Sequence, residues 1–201
     1  MQITQVRNAT LLIDYAGTRF LIDPMLAAKG TLPAFAGTAN SHLHNPLVEL
    51  PLPLAEILDV DAVIVTHDHL DHWDPVAQQQ LPKHLPLFVQ HQKDADTIRA
   101  CGFKDVRLLS EQVARSLRQH EPEVIILNCG DAQVPGLGSI IMGKEDVRAV
   151  YQAAPQSTLI ASHMEAVNHA VLSRKELRDY LAEHGMADRV RVPEDGDTLS
   201  L

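Results

Sequence analysis

Residues 67–72 read His-Asp-His-Leu-Asp-His, three imidazoles and two carboxylates in six positions. The flanks of this run say where it must sit. Residues 61–65, Asp-Ala-Val-Ile-Val, are a short β-branched block that predicts a buried strand. Asp74 and Pro75 are a good N-cap and first helical residue, which predicts a helix running through Leu81. The run is therefore a strand-to-helix loop at the C-terminal end of a strand, the place where α/β folds put ligand sites. His67 and His69 are two apart, so in extended backbone they project to the same side. Asp71 and His72 follow where the chain turns. Neutral imidazoles with a carboxylate suit zinc, and also manganese or iron. The plain alternative is a solvated polar loop, and so dense a set of donors at a strand end weighs against it.

The rest of the chain supplies the frame. Residues 2–6, 10–15 and 18–22 read as strands, with Ala16-Gly17 as a turn and Asp23-Pro24 as a stop. Residues 25–54 show no period and read as a long ordered loop, a class that is often functional. From residue 60 strands and helices alternate. Strands are expected at 85–90, 105–109, 123–127, 158–161, 190–192 and 198–201. Helices are expected from Asp94 through Cys101, over 111–120 behind Ser110, over 144–153, and from Ser173 through Glu183. Ser173 with Glu176 is a capping box, and Gly102 and Gly185 fit helix ends. A strand-rich start followed by alternation implies an α/β fold, a mixed sheet with helices outside.

Composition narrows the class. The 201 residues, 45% hydrophobic, suit one domain over residues 1–201. Aromatics are only 4%, so Leu, Val, Ile and Ala must build the core. A net charge of −9 offers no basic surface for phosphates, so no nucleic-acid partner is expected. No apolar run has membrane-spanning length, and residues 1–14 do not read as a signal peptide. Cys101 and Cys129 form no disulfide framework. The expectation is a cytoplasmic chain with two buried thiols, acting on a small-molecule substrate without a membrane partner. A homo-oligomer is compatible with all of this.

The pattern H-x-H-x-D-H, extended to Thr-His-x-His-x-Asp-His-Trp-Asp over residues 66–74, resembles the metallo-β-lactamase superfamily and its UlaG-like branch of metal-dependent hydrolases. Asp23-Pro24 after the N-terminal strands and His163 after the strand at 158–161 fit that branch. The resemblance implies a metallo-β-lactamase-like αββα sandwich with the site at one edge of its sheets. It implies that His67 and His69 bind one metal ion and that Asp71 and His72 bind a second, completed by His163. His169 is a lesser candidate, as a substrate contact or a helix cap. The family also implies a third histidine for the first ion and a bridging aspartate on central strands. His84, His91 and His120 lack that setting and read as surface residues. Asp131, in Asn128-Cys129-Gly130-Asp131, is a lesser candidate for the bridge, but the order of elements around it favours a turn-forming Gly-Asp. The economical reading is that a segment is absent near residues 109–111, leaving the second sheet incomplete.

The implied chemistry is hydrolysis of an ester, lactone, amide or phosphodiester by a water on one or two zinc ions, with Mn2+ or Fe as alternatives. Asp71 is the residue assigned to hold its metal and orient the nucleophile. The competing reading is an impaired or inactive relative that binds one metal weakly or none. A redox enzyme using iron on the same ligands is a third. His42 and His44 lie in a loop that could shape a substrate pocket, although an ordinary surface loop is the simpler reading. Neither a phosphate-binding glycine loop nor a G-x-S-x-G elbow is present.

Overall fold

In the computed structural model, which describes residues 1–109 and 122–201, the three N-terminal segments form the strands β1 (Gln2–Arg7), β2 (Thr10–Tyr15) and β3 (Thr18–Ile22). They pair as an antiparallel meander. β3 then pairs in parallel with β4 (Ala62–Val65), which is followed in parallel by β5 (Leu87–Val89) and β6 (Val106–Leu108). The change from antiparallel to parallel at β3–β4 matters for the site. It brings the C-terminal ends of β3 and β4 to the same edge, with Ile22 opposite Ile64.

The chain divides into two compact units. The first comprises Met1–Ala28, residues 50–109 and Asp195–Leu201. Its sheet closes with β12, Thr198–Ser200, antiparallel to β1. Three helices belong to it among the described residues: α1 (Leu54–Ile57), α2 (Pro75–Gln80) and α3 (Gln92–Ala100). Leu21, Val63, Val65, Leu87 and Ile98 are completely or almost completely buried in its core. Trp73 is buried with them and meets Phe103 edge-on at 5.5 Å.

The second unit comprises Lys29–Glu49 and residues 122–194. Here β7 (Val124–Asn128), β10 (Thr158–Ser162) and β11 (Val190–Arg191) form a parallel sheet with β10 in the centre. A small hairpin, β8 (Gln133–Val134) with β9 (Gly138–Ser139), precedes α4 (Lys144–Ala153), and α5 (Arg174–Glu183) precedes β11. Leu127, Val147, Leu159, Leu177 and Leu181 form its core.

The expected strands and helices recur with ends that differ by a few residues. Asp74 caps α2 by accepting from the Ala77 amide at 2.8 Å, and Ser173 and Glu176 cap α5 reciprocally. One expected cap is corrected. α3 begins at Gln92 with His91 before it, so Asp94 lies inside the first turn, 4% exposed, and does not start the helix. The short helix α1 begins at Leu54, the last residue of the stretch read as loop, where Pro53 supplies the preceding φ. The helix expected over 111–120 lies outside the described residues, as does His120. The cysteines are both free, and only Cys129 is fully buried, Cys101 being half-buried at the end of α3.

Candidate metal centre

The loop after β4 folds back on itself. The amides of His72 and Trp73 both donate to the His69 carbonyl, at 2.9 and 2.8 Å. This turn returns His72 to the neighbourhood of His67, with ring centroids 3.9 Å apart. His67 and His69 lie together as their spacing requires, at 4.6 Å between centroids. Asp71 and His72 are buried, His67 is half-buried and His69 is exposed.

The orientation of His72 is set by Asp23, 49 residues earlier. His72 Nδ1 donates to Asp23 Oδ2 at 2.8 Å. That bond makes Nε2 the nitrogen that could serve a metal, 3.6 Å from Asp71 Oδ2. A carboxylate behind a ligand imidazole fixes its tautomer and raises its basicity. Asp23 is itself held. Its two oxygens accept from the Thr66 amide at 2.7 Å and the Thr66 hydroxyl at 2.8 Å. Thr66 Oγ1 lies 3.0 Å from His67 Nδ1, so one hydroxyl links the two histidines to Asp23.

The segment after β3 is pinned so that Asp23 stays in place. Asp23 has a left-handed φ of 43°, its amide donates to the Ile64 carbonyl at 2.9 Å, and its carbonyl accepts from Thr10 Oγ1 at 2.7 Å. Arg7, fully buried, donates to the carbonyls of Met25 and Ala27. Asp74 Oδ2 accepts from the Ala27 amide at 2.6 Å. Asn8 reaches the loop from the other side, its Nδ2 donating to the Asp71 carbonyl at 3.0 Å.

These surroundings push the two neighbouring imidazoles in opposite directions. Burial, then the nearby His72, lowers the pKa of His67 to about 4, so its ring is neutral over the ordinary pH range. Burial opposes a charge on His72 too, but the hydrogen bond and charge of Asp23 outweigh it and raise that ring above the usual value.

In the second unit His163 follows directly on β10. It is 2% exposed and adopts a left-handed φ of 61°, an uncommon conformation for a residue with a side chain. Gly130 explains how the chain accommodates it. A Cβ at Gly130 would lie 2.3 Å from the His163 carbonyl oxygen, so only glycine permits this approach of the turn after β7. Asp131 follows with φ 47°, its Oδ1 accepting from Gln133 Nε2 at 2.6 Å as the chain enters β8. His169 is buried, its carbonyl accepting from the Gln133 amide at 2.9 Å. His42, His44, His84 and His91 are exposed.

The donor set suits a divalent ion. Asp71, His72 and His163 are buried and each offers a ligand atom of the type such ions take. Sequence reasoning named these three and His67 and His69, but gave Asp23, Thr66 and Gly130 no role at the site. The signal for Asp23 was legible. A strand ending in Asp-Pro, parallel to the strand that carries the histidines, places its carboxylate at the same sheet edge.

The model of the Beta-lactamase superfamily domain matches residues 2–153. The UPF0173 protein YddR of Bacillus subtilis (strain 168) is 41% identical, all of both chains being covered. That alignment runs over 253 positions, against 201 residues here, so at least 52 of them are filled in the relative alone. The crystal structure of isothiocyanate hydrolase from Delia radicum gut bacteria is similar with a TM-score of 0.94 at 38% identity, covering 100% of this chain and 99% of that one. A possible metal-dependent hydrolase from Veillonella parvula DSM 2008 has a TM-score of 0.95 at 35% identity with the same coverage. With its mixed sheet, its parallel second sheet and the histidine loop after β4, the chain has the metallo-β-lactamase-like fold, and it belongs to the beta-lactamase superfamily as a metallo-hydrolase.

Proposed function

We propose that this chain hydrolyses a small molecule at an electrophilic centre, with Asp71, His72 and His163 holding one zinc ion tightly and His67 and His69 holding a second more weakly. The observation that carries this reading is the bond from His72 Nδ1 to Asp23, which presents Nε2 beside the Asp71 carboxylate. The bound ion supplies acidity, lowering the pKa of its water to about 7. Asp71 orients the nucleophile through its carboxylate, and His67, neutral above a pKa of about 4, keeps its ring available as a donor.

Isothiocyanates are the preferred substrate class, because the isothiocyanate hydrolase is 38% identical over the whole chain. In that reaction water adds to the central carbon, its oxygen forming the new C–O bond and a proton passing to nitrogen. A second proton transfer to nitrogen and cleavage of the C–N bond release a primary amine and carbonyl sulfide. Esters, lactones, amides and phosphodiesters are the wider class open to the same nucleophile.

The 52 or more alignment positions without a residue here favour a second reading, an impaired relative. In that reading the absent segment lies between β6 and β7 and carried the third histidine and bridging aspartate. Metal content and turnover decide between them. Purified chain loaded with Zn2+, Mn2+ or Fe2+ in turn is assayed with benzyl isothiocyanate, p-nitrophenyl acetate and bis-p-nitrophenyl phosphate. Bound metal with amine release supports the hydrolase, whereas metal without turnover of any of the three supports the impaired relative.

A further inference from the structure

We propose that residues 31–46 form a specificity wall for the substrate's non-reacting group, with Phe35 as the contact residue and Asn168 as the positioning residue that holds it. This rests on the hydrolase reading above and names the selectivity of that site. The loop has no helix or strand, yet it is closed at its base. Leu32 and Asn45 exchange two backbone hydrogen bonds, at 2.8 and 2.9 Å, and the Gly30 amide donates to the Pro46 carbonyl at 2.9 Å. A compact loop whose ends meet is a frequent carrier of function.

The loop is fastened to the segment after β10 by one buried amide. Asn168 is 1% exposed. Its Nδ2 donates to Thr38 Oγ1 at 2.8 Å and to the Ala39 carbonyl at 2.7 Å. Its Oδ1 accepts from Asn45 Nδ2 at 2.9 Å and from the Phe35 amide at 3.3 Å. Its backbone amide donates to Asn45 Oδ1 at 2.8 Å, and its carbonyl accepts from Asn40 Nδ2 at 3.1 Å. Six bonds through one residue offset the conformational entropy of ordering an irregular loop. They leave Phe35 in a definite place.

That place is informative. The Phe35 ring meets the His169 ring edge-on at 4.8 Å, next to Asn168 and six residues from His163. His169 is buried, whereas Phe35 is left half-exposed and is not part of the hydrophobic core of its unit. A fixed, half-exposed aromatic beside a buried imidazole, on the stretch that carries a ligand histidine, suits an apolar group such as the benzyl end of an isothiocyanate. Its contribution is uniform binding, felt in KM more than in kcat.

The test compares methyl and benzyl isothiocyanate in wild type, Phe35→Ala, Phe35→Leu and Asn168→Ala. Phe35→Ala is expected to raise KM for the benzyl compound about tenfold with little change in kcat, and to leave the methyl compound unaffected. Phe35→Leu should recover most of the loss, because it restores apolar area. Asn168→Ala should reproduce the KM effect and expose Phe35 to chymotrypsin under conditions where wild type is uncut. Equal losses for both substrates, or a fall in kcat at constant KM, overturn the wall. If wild type turns over neither compound, the isothiocyanate reading fails by itself. Proteolysis then judges the loop: cleavage after Phe35 in Asn168→Ala alone upholds the clamp, and equal cleavage in wild type overturns it.

Discussion

Asp23 and Gly130 act on the candidate ligands from different directions, one through a hydrogen bond and one through empty space. Removing the Asp23 carboxylate leaves Nδ1 of a buried imidazole without its acceptor, and His72 loses its fixed tautomer. Outer partners of this sort are worth about 10- to 100-fold in metal affinity. Asp23→Ala is therefore expected to weaken zinc binding by that factor, measured by competition with a chromophoric chelator, while Asp23→Asn, which keeps an acceptor oxygen, falls between it and wild type. Gly130→Ala places a methyl group 2.3 Å from the His163 carbonyl oxygen. Overpacking of this kind costs about 1–3 kcal/mol, and since the strain falls on the backbone of His163, metal affinity should drop with stability. The candidate ligands could be named from the sequence, because donor density and spacing are one-dimensional properties. Asp23 was legible only in part, since its partner lies 49 residues away, and Gly130 was not, since a close approach of backbones leaves no mark on the sequence. Cys129 shows the same limit. Burial pushes its thiol up to about 12, so it stays protonated and inert at pH 8.5. Iodoacetamide should leave Cys129 unmodified in the folded chain and alkylate it in denaturant, as peptide mass mapping would read.

At the scale of elements, the two helices with side-chain caps among the described residues differ in what their caps hold. Ser173 caps α5 near the surface, and its loss to Ala is expected to cost about 1 kcal/mol, close to 2–4 °C in Tm for a chain of this size. Asp74 is completely buried, caps α2 and also accepts from the Ala27 amide. Asp74→Ala orphans two buried donors, so thermal denaturation should show a loss of more than about 2 kcal/mol. The ordering of the two variants is the informative result, because equal losses would mean that Asp74 serves only its helix. Both caps were readable from local sequence, Asp-Pro in one case and Ser-x-x-Glu in the other. The start of α3 was not, because Asp94 has the chemistry of a cap but sits in the core, where burial raises its pKa. Turn chemistry identified the ends of most elements, whereas β8, β9 and α1 are so short that contacts distant in sequence decide them.

Across the whole molecule, the histidine loop and the late strand demand different things of the chain. Asp71 and His72 stand beyond β4 in the first unit, and His163 follows β10 in the second. At least 52 positions of the alignment with the Bacillus subtilis relative have no residue in this chain, and on the proposed reading of an absent segment they held the third histidine and bridging aspartate expected of the family. On that reading the proposed pair of sites is unequal. A calorimetric titration with Zn2+ should resolve one tight ion and one weak ion. At a hundredfold excess over its Kd, the tight ion should add about 2.7 kcal/mol to stability, which raises Tm by about 5–10 °C and is reversed by a chelator. His72→Ala should abolish that rise, because it removes the imidazole that Asp23 orients. His67→Ala should keep it, because His67 belongs to the weaker pair. A rise lost equally in both variants would mean one shared site in place of two, and the division of the loop into His67 with His69 and Asp71 with His72 would have to be abandoned.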